Sequence, residues 1–239
     1  MKKFFIAALL MIFANCACAE EIPENGEGGA ASAPANINHV DSIYFAQTNF
    51  YELTSTNGRI VLTHYPPALQ TTEYTCGPVA ALTVLRWFGN NDFDEMSLVK
   101  LMKTDTHSGT SRSKMEKFFR ELGWEVHGNS DTPHFDDIAD FQKFVLKNLS
   151  EGTPIMVENV EYGGHWRVIV GCDTLGTENL YDDVLIFADP YDTSDHKSDG
   201  FTVGSLDRFF SMWFDYNVLP ENEREQPWLT ARPKVTFKK

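Results

Sequence analysis

Cysteine is scarce in this chain of 239 residues: four in all, at positions 16, 18, 76 and 172. That is too few for a disulfide scaffold. Basic charge is also in deficit. Lys and Arg number 20 against 34 Asp and Glu, a formal net charge of −14, so no large cationic surface is available for nucleic acid or anionic lipid. Beyond the N-terminus no apolar run approaches the roughly 20 residues that a helix needs to cross a bilayer. The histidines at 39, 64, 107, 127, 134 and 196 show neither an i,i+4 pair nor the cysteine spacing of a zinc site. No glycine-rich phosphate loop and no internal repeat are present. Asp189, Asp192, Asp195 and Asp199 are spaced like oxygen ligands, but the turn glycine and the closing glutamate of a calcium loop are missing. They read as a solvated acidic loop. No cofactor and no metal are expected.

What remains is an ordinary globular composition, 42% hydrophobic and 13% aromatic. Lys2 and Lys3 precede the apolar run Phe4 to Phe13, and Ala17-Cys18-Ala19 supplies small residues at a cleavage position. Residues 1–19 therefore read as a secretory signal peptide, and the expected location is periplasmic or extracellular. Lipid attachment at Cys16 or Cys18 is the lesser alternative. Residues 20–36 hold Gly, Ala, Pro, Ser and acid with few bulky apolar side chains and read as a flexible linker. Residues 37–58 read as an N-terminal extension, 59–220 as one folded domain, and 221–239 as a C-terminal tail.

Within the domain, Arg59 to Leu62 has the look of a short strand. Cys76 to Phe88 is apolar nearly all round and predicts a central buried helix, with Pro78 in the first turn, where no N–H is needed, and Gly89-Asn90-Asn91 as its stop. Further helices are expected near 95–103, 111–122, 135–149 and 205–214. Short β-branched and apolar runs at Pro154–Val160, His165–Asp173 and Asp183–Asp189 predict strands. Helices first and strands second is an α+β layout.

Four side chains stand out for chemistry. Cys76 opens the central helix, where unpaired N–H groups and the positive end of the helix dipole favour thiolate, and Gly77 leaves room for a substrate backbone. His165 follows Gly163-Gly164 at the start of a strand, so a turn places it at a sheet edge, reachable from outside. Strand alternation sets His165, Arg167 and Ile169 on one face and Cys172 on the other, which makes Cys172 a core residue and a poor partner for that histidine. Asp189 ends a strand before Pro190, where its carboxylate can orient an imidazole on a neighbouring strand. Gln70, six residues before Cys76, can donate its amide to an oxyanion. Each has a plainer reading as well: a buried thiol, a surface histidine, a turn aspartate, a loop glutamine. A Cys76–Cys172 disulfide stays open at this point.

The sequences Gln70-Thr-Thr-Glu-Tyr-Thr-Cys76-Gly77-Pro78, Gly164-His165-Trp166-Arg167-Val168-Ile169-Val170-Gly171 and Phe187-Ala188-Asp189-Pro190 occur in that order. Together they resemble the double-glycine leader peptidases, the bacteriocin-processing branch of the papain-like cysteine peptidases, over about residues 60–215. The resemblance implies a papain-like α+β fold, with the cysteine on a buried helix and the His and Asp on an antiparallel sheet. It also implies thiol-dependent cleavage of a peptide or protein substrate. Carried over by position, Cys76 is the nucleophile, His165 the general base, Asp189 its orienting acid and Gln70 the oxyanion donor. Thr75 stands where many relatives have Asp, and Arg167 where the strand is usually apolar. Two other readings remain: an acyl transferase of the phytochelatin-synthase kind, which would pass the thioester to an amine or thiol, and a catalytically silent peptide-binding module.

Overall fold

The computed structural model describes residues 48–129, 134–194 and 197–234. The predicted signal peptide and linker lie outside these residues, as do residues 37–47 of the predicted extension and Asp195 and His196 of the acidic loop.

Seven strands form one antiparallel sheet. β1 is Arg59–Val61, β2 Glu125–Gly128, β3 Ile155–Asn159, β4 His165–Asp173, β5 Val184–Ala188, β6 Phe201–Ser205 and β7 Trp228–Arg232. Their order is β2-β7-β3-β4-β5-β6, with β1 paired to β4 beyond this path. The register sets Asn159 opposite His165 and Glu158 opposite Trp166. A shift between Ile169 and Gly171 marks a bulge where β4 meets β5.

Five helices cover both faces: α1 Cys76–Trp87, α2 Glu95–Met102, α3 Arg112–Glu121, α4 Ile138–Ser150 and α5 Leu206–Ser211. α1 is buried from Cys76 through Leu85 and packs on β4. A helix with no polar stripe has nowhere else to go. α2 and α3 extend this layer to β2 and β7. α2 carries a reciprocal cap, with Asp94 accepting from Ser97 N and the Ser97 hydroxyl accepting from Asp94 N. On the opposite face α4 and α5 contribute Phe141, Phe144 and Phe209, which meet Trp213, Trp228 and Phe187 at ring separations of 4.6–5.5 Å. Each such buried ring contributes about 2–3 kcal/mol through area removed from water.

Three details depart from the sequence reading. β2, β6 and β7 are strands that the patterning does not single out, because each is only four or five residues long and contains or adjoins Gly or Pro. β7 belongs to the stretch read as a tail, yet it lies between β2 and β3. The last helix is α5 alone, six residues long. Among the described residues no helix is long and apolar enough to cross a membrane.

Candidate active site

β3 and β5 end, and β4 begins, at one rim of the sheet, and the N-terminus of α1 arrives at that rim. The topology thereby gathers residues separated by up to 119 positions, from Gln70 to Asp189. Thr75 caps α1 through its backbone and makes no side-chain capping bond. Its hydroxyl is instead paired with that of Thr72 at 3.0 Å. Thr75 is fully buried, so the position next to the sulfur is neutral.

Cys76, His165, Asp189 and Gln70 are all buried. His165 Nε2 lies 2.7 Å from Asp189 Oδ1. The Cys76 side chain acts on the same imidazole and favours its charged form, and with Nε2 engaged by the carboxylate, Nδ1 is the nitrogen left for the sulfur. Burial by itself would lower the basicity of His165, but the Asp189 charge, the bond to Asp189 and the Cys76 side chain overcome it and push the pKa up to about 9. Burial would likewise raise the Asp189 pKa, yet the imidazolium and Arg167 hold it below the usual carboxylate value.

Asp189 is itself held from several sides. Tyr191 N donates to Oδ1 at 2.9 Å, and the Thr202 hydroxyl donates to Oδ2 at 2.9 Å. Arg167 Nη1 stands 3.9 Å from Oδ2, while its Nη2 pairs with Glu161 at 2.7 Å. The guanidinium lies 4.2 Å over the Phe187 ring. This explains an arginine on a buried strand: it spreads positive charge behind the carboxylate and stacks on an aromatic face. Alternation predicts that His165 and Arg167 share a face but not what Arg167 touches. The Thr202 contact has no sequence signal, since a lone hydroxyl in a strand is ordinary.

His165 is enclosed where the sequence reading exposes it. Tyr162 sits edge-on at 5.5 Å and Tyr191 at 6.2 Å. The tight turn before β4 folds Tyr162 back over the ring, with Tyr162 itself at a φ of 53°. Gly77 also serves a different end from the one expected. A Cβ there would come within 2.9 Å of Thr110 Cβ and 3.4 Å of the Trp166 ring. Its missing side chain seats the helix against the 104–110 loop, not a substrate against the helix.

Gln70 is tied to the same rim, its N–H donating to Pro190 O at 2.9 Å. Its Nε2 donates one hydrogen to Thr72 O at 2.7 Å. This fixes the amide orientation, because the reverse would set two oxygens against each other. The second Nε2 hydrogen has no protein acceptor among the described residues, and Oε1 is buried without a partner. Cys76 and Cys172 are both free thiols. Cys172 is buried among apolar groups, and that burial raises its pKa to about 12. Among the described residues no group of three or more His, Cys, Asp or Glu is placed to hold a metal ion.

A cavity of about 220 Å³ opens beside the Cys76 sulfur, walled by Tyr74, Thr110, Glu158, Trp166 and Val218. Glu158 escapes sequence reasoning, because an acid on a strand is usually a solvated one.

The chain was compared with known proteins. No curated protein matches it. Among solved structures it is similar to the peptidase domain of Streptococcus ComA, a bifunctional ABC transporter involved in a quorum sensing pathway. The identity is 20%, the TM-score 0.49, and the match covers 72% of this chain and 100% of that one. It is also similar to the peptidase domain of Streptococcus mutans ComA, at 16% identity and a TM-score of 0.35, over 71% of this chain and 100% of that one. A complex of that same domain with a small-molecule inhibitor matches at 17% identity and a TM-score of 0.37, again over 71% and 100%. The model of the Peptidase C39-like family spans residues 62–213, from the end of β1 past α5. That match covers more than half of the chain, which therefore belongs to the Peptidase C39-like family, with its papain-like α+β fold.

Proposed function

We propose that the chain is a cysteine peptidase that hydrolyses peptide bonds with Cys76 as nucleophile, His165 as general base and acid, Asp189 as the group that orients and charges the imidazole, and Gln70 as oxyanion donor. One observation carries the reading: a single buried imidazole lies 2.7 Å from the Asp189 carboxylate and is acted on by the Cys76 side chain at the head of α1. A structural histidine needs no such thiol, and a structural cysteine needs no such base.

The proposed sequence of events runs from sulfur to acyl release. His165 takes the Cys76 proton, and the strong Asp189 contact favours the resulting imidazolium. The sulfur attacks the scissile carbonyl carbon. Negative charge on the carbonyl oxygen meets the Cys76 backbone N–H, which heads α1 and has no intrahelical acceptor, and the free Nε2 hydrogen of Gln70. His165 returns its proton to the departing amine. Water then releases the acyl group from sulfur.

The test is incubation of wild type and Cys76→Ala with a diverse peptide pool, followed by mass spectrometry of new termini. New termini with wild type alone are the expected result. Identical termini from both proteins, or none from wild type, overturn the reading. Products carrying an added amine or thiol acceptor would identify acyl transfer instead. The export signal read from residues 1–19 belongs to the same proposal, and intact-mass measurement of protein recovered from an exporting cell checks it.

A further inference from the structure

The cavity beside Cys76 has an acidic wall that the mechanism does not use. Glu158 leaves β3 on the face packed by α1, and only 1% of it is exposed. Neither of its carboxyl oxygens receives a hydrogen bond from a protein N–H or O–H. Its neighbour is the carboxyl of Asp215, which is fully buried. Asp215 Oδ1 accepts from Asn217 N at 2.6 Å and Val218 N at 3.2 Å, while Oδ2 is left without a donor.

Gly164 makes this arrangement fit. Its φ is 125°, and a side chain there would overlap the Asp215 carboxylate and Val218 and crowd Glu158. The glycine before His165 thus lets two acids close on the strand that carries the base.

Burying two carboxyls without a cation is costly. The groups acting most strongly on Glu158, after its own desolvation, are Asp215, Cys76 and Glu223, all of them acidic. The consequence is a Glu158 pKa well above its ordinary value. Nearby cations are committed elsewhere: Arg112 to Glu116, and Arg224 to Leu219 O. At the mouth of the cavity stand Glu73 and His107. A buried, unpartnered acid on the wall of a cavity that Cys76 also lines, backed by a second buried acid and with no Lys or Arg among the lining residues, is a receptor for a cation that the substrate brings.

We propose that Glu158 and Asp215 form a specificity site that receives a lysine or arginine side chain of the peptide presented to Cys76. The proposal rests on the peptidase reading for its substrate, and it deepens that reading. On binding, the ammonium or guanidinium meets Glu158 on the cavity wall with Asp215 behind it, and the proton that Glu158 gives up leaves to solvent.

The experiment uses the full chain and end-blocked peptides, so that no terminal ammonium competes. Residues flanking the cleaved bond are varied among Lys, Arg, norleucine and Glu. Wild type is expected to show a kcat/KM for the basic peptides at least about tenfold above that for norleucine. Glu158→Gln keeps the shape and the Asp215 charge and should lower the preference. Glu158→Gln/Asp215→Asn should bring it within about twofold of unity. Cleavage without basic preference, or a preference that survives the double substitution, overturns the proposal and leaves the peptidase reading standing.

If no peptide is cleaved, the peptidase reading fails and the acid pair is judged separately. Cys76 is then labelled with cationic aminoethyl methanethiosulfonate or anionic sulfonatoethyl methanethiosulfonate and located by peptide mapping. A cation-to-anion rate ratio at least about tenfold above that of a free thiol, collapsing in Glu158→Gln, supports a cation receptor. A ratio unchanged by Glu158→Gln sinks it. Thermal melts establish that each variant is folded, and Glu158→Gln, which trades one buried acid for an amide able to donate to Asp215, carries the test if the double variant is not.

Discussion

Replacing Asp189 by Asn removes the charge opposite His165 and leaves the shape around it. The Asn carbonyl still accepts from Tyr191 N and from the imidazole, and Thr202 turns its hydroxyl to accept in place of donating. What changes is the balance on the ring. Burial, the largest influence, disfavours imidazolium, and Asp189 is what lifts the pKa from 6.5 to about 9. Without that charge the pKa falls to 6.5 or below, and Arg167, no longer facing a carboxylate, pushes it further down. With the proton on His165 needed for amine departure, the protonated fractions at about pH 8 differ by about 30-fold between pKa 9 and pKa 6.5, and converge near pH 6. The assay is kcat/KM against pH, paired with an NMR titration of histidine-labelled protein, which reads His165 whether or not a substrate is in hand. Stability should follow the same sign. A proton held more tightly by the folded chain contributes fully below pH 6.5 and is lost as pH rises through about 9. Wild type therefore surrenders on the order of 3 kcal/mol across that interval which Asp189→Asn never had. A wild-type His165 titrating near 6.5, or one unmoved by Asp189→Asn, would refute the reasoning.

Three further outcomes are expected. Thr202→Val removes a hydroxyl from a buried, ionised carboxylate and should cost about 1.5–3 kcal/mol in denaturant unfolding, with the His165 titration moving down only slightly. Gly164→Ala combines a φ of 125° with overlap on Asp215 and Val218 and should destabilise the fold by about 1–3 kcal/mol, read as a lowered Tm. Gln70→Ala should lower kcat about 10²–10³-fold with little change in KM, since its free N–H meets charge that exists only on the way to the intermediate; equal kcat values would remove Gln70 from the mechanism.

Much of the layout is legible in the chain because single residues carry it. The surface from Val79 to Leu85, apolar but for Thr83, has only one place to go, and α1 is buried over that whole stretch. Alternation along His165–Asp173 breaks at the bulge between Ile169 and Gly171, so Cys172, expected opposite the imidazole, pairs with Leu185 on the face that Ile169 shares with Phe187; strand length, not face, separates it from His165. The positions marked for chemistry announce themselves through residue type and local context: a thiol at a helix start, an imidazole after two glycines, a carboxylate before proline. What stays hidden depends on pairing at a distance. β6 reads Phe-Thr-Val-Gly-Ser and becomes a strand because β5 offers it a buried edge. Glu158 and Asp215 are 57 positions apart, and nothing in either neighbourhood says that both are buried or that they meet. Tyr162 closes over His165 only because its own backbone is left-handed, which the preceding residues do not signal.

The place of β7 bears on the order in which the chain assembles. β2 pairs with no strand except β7, and one whole edge of β3 is open until β7 arrives. A nascent polypeptide can bring β3, β4 and β5 together as consecutive neighbours, but β2 must wait for Trp228–Arg232. Completion of the sheet therefore follows the emergence of Trp228–Arg232, and cutting the chain before Trp228 would leave an unpaired edge on β3 open to strands of other molecules.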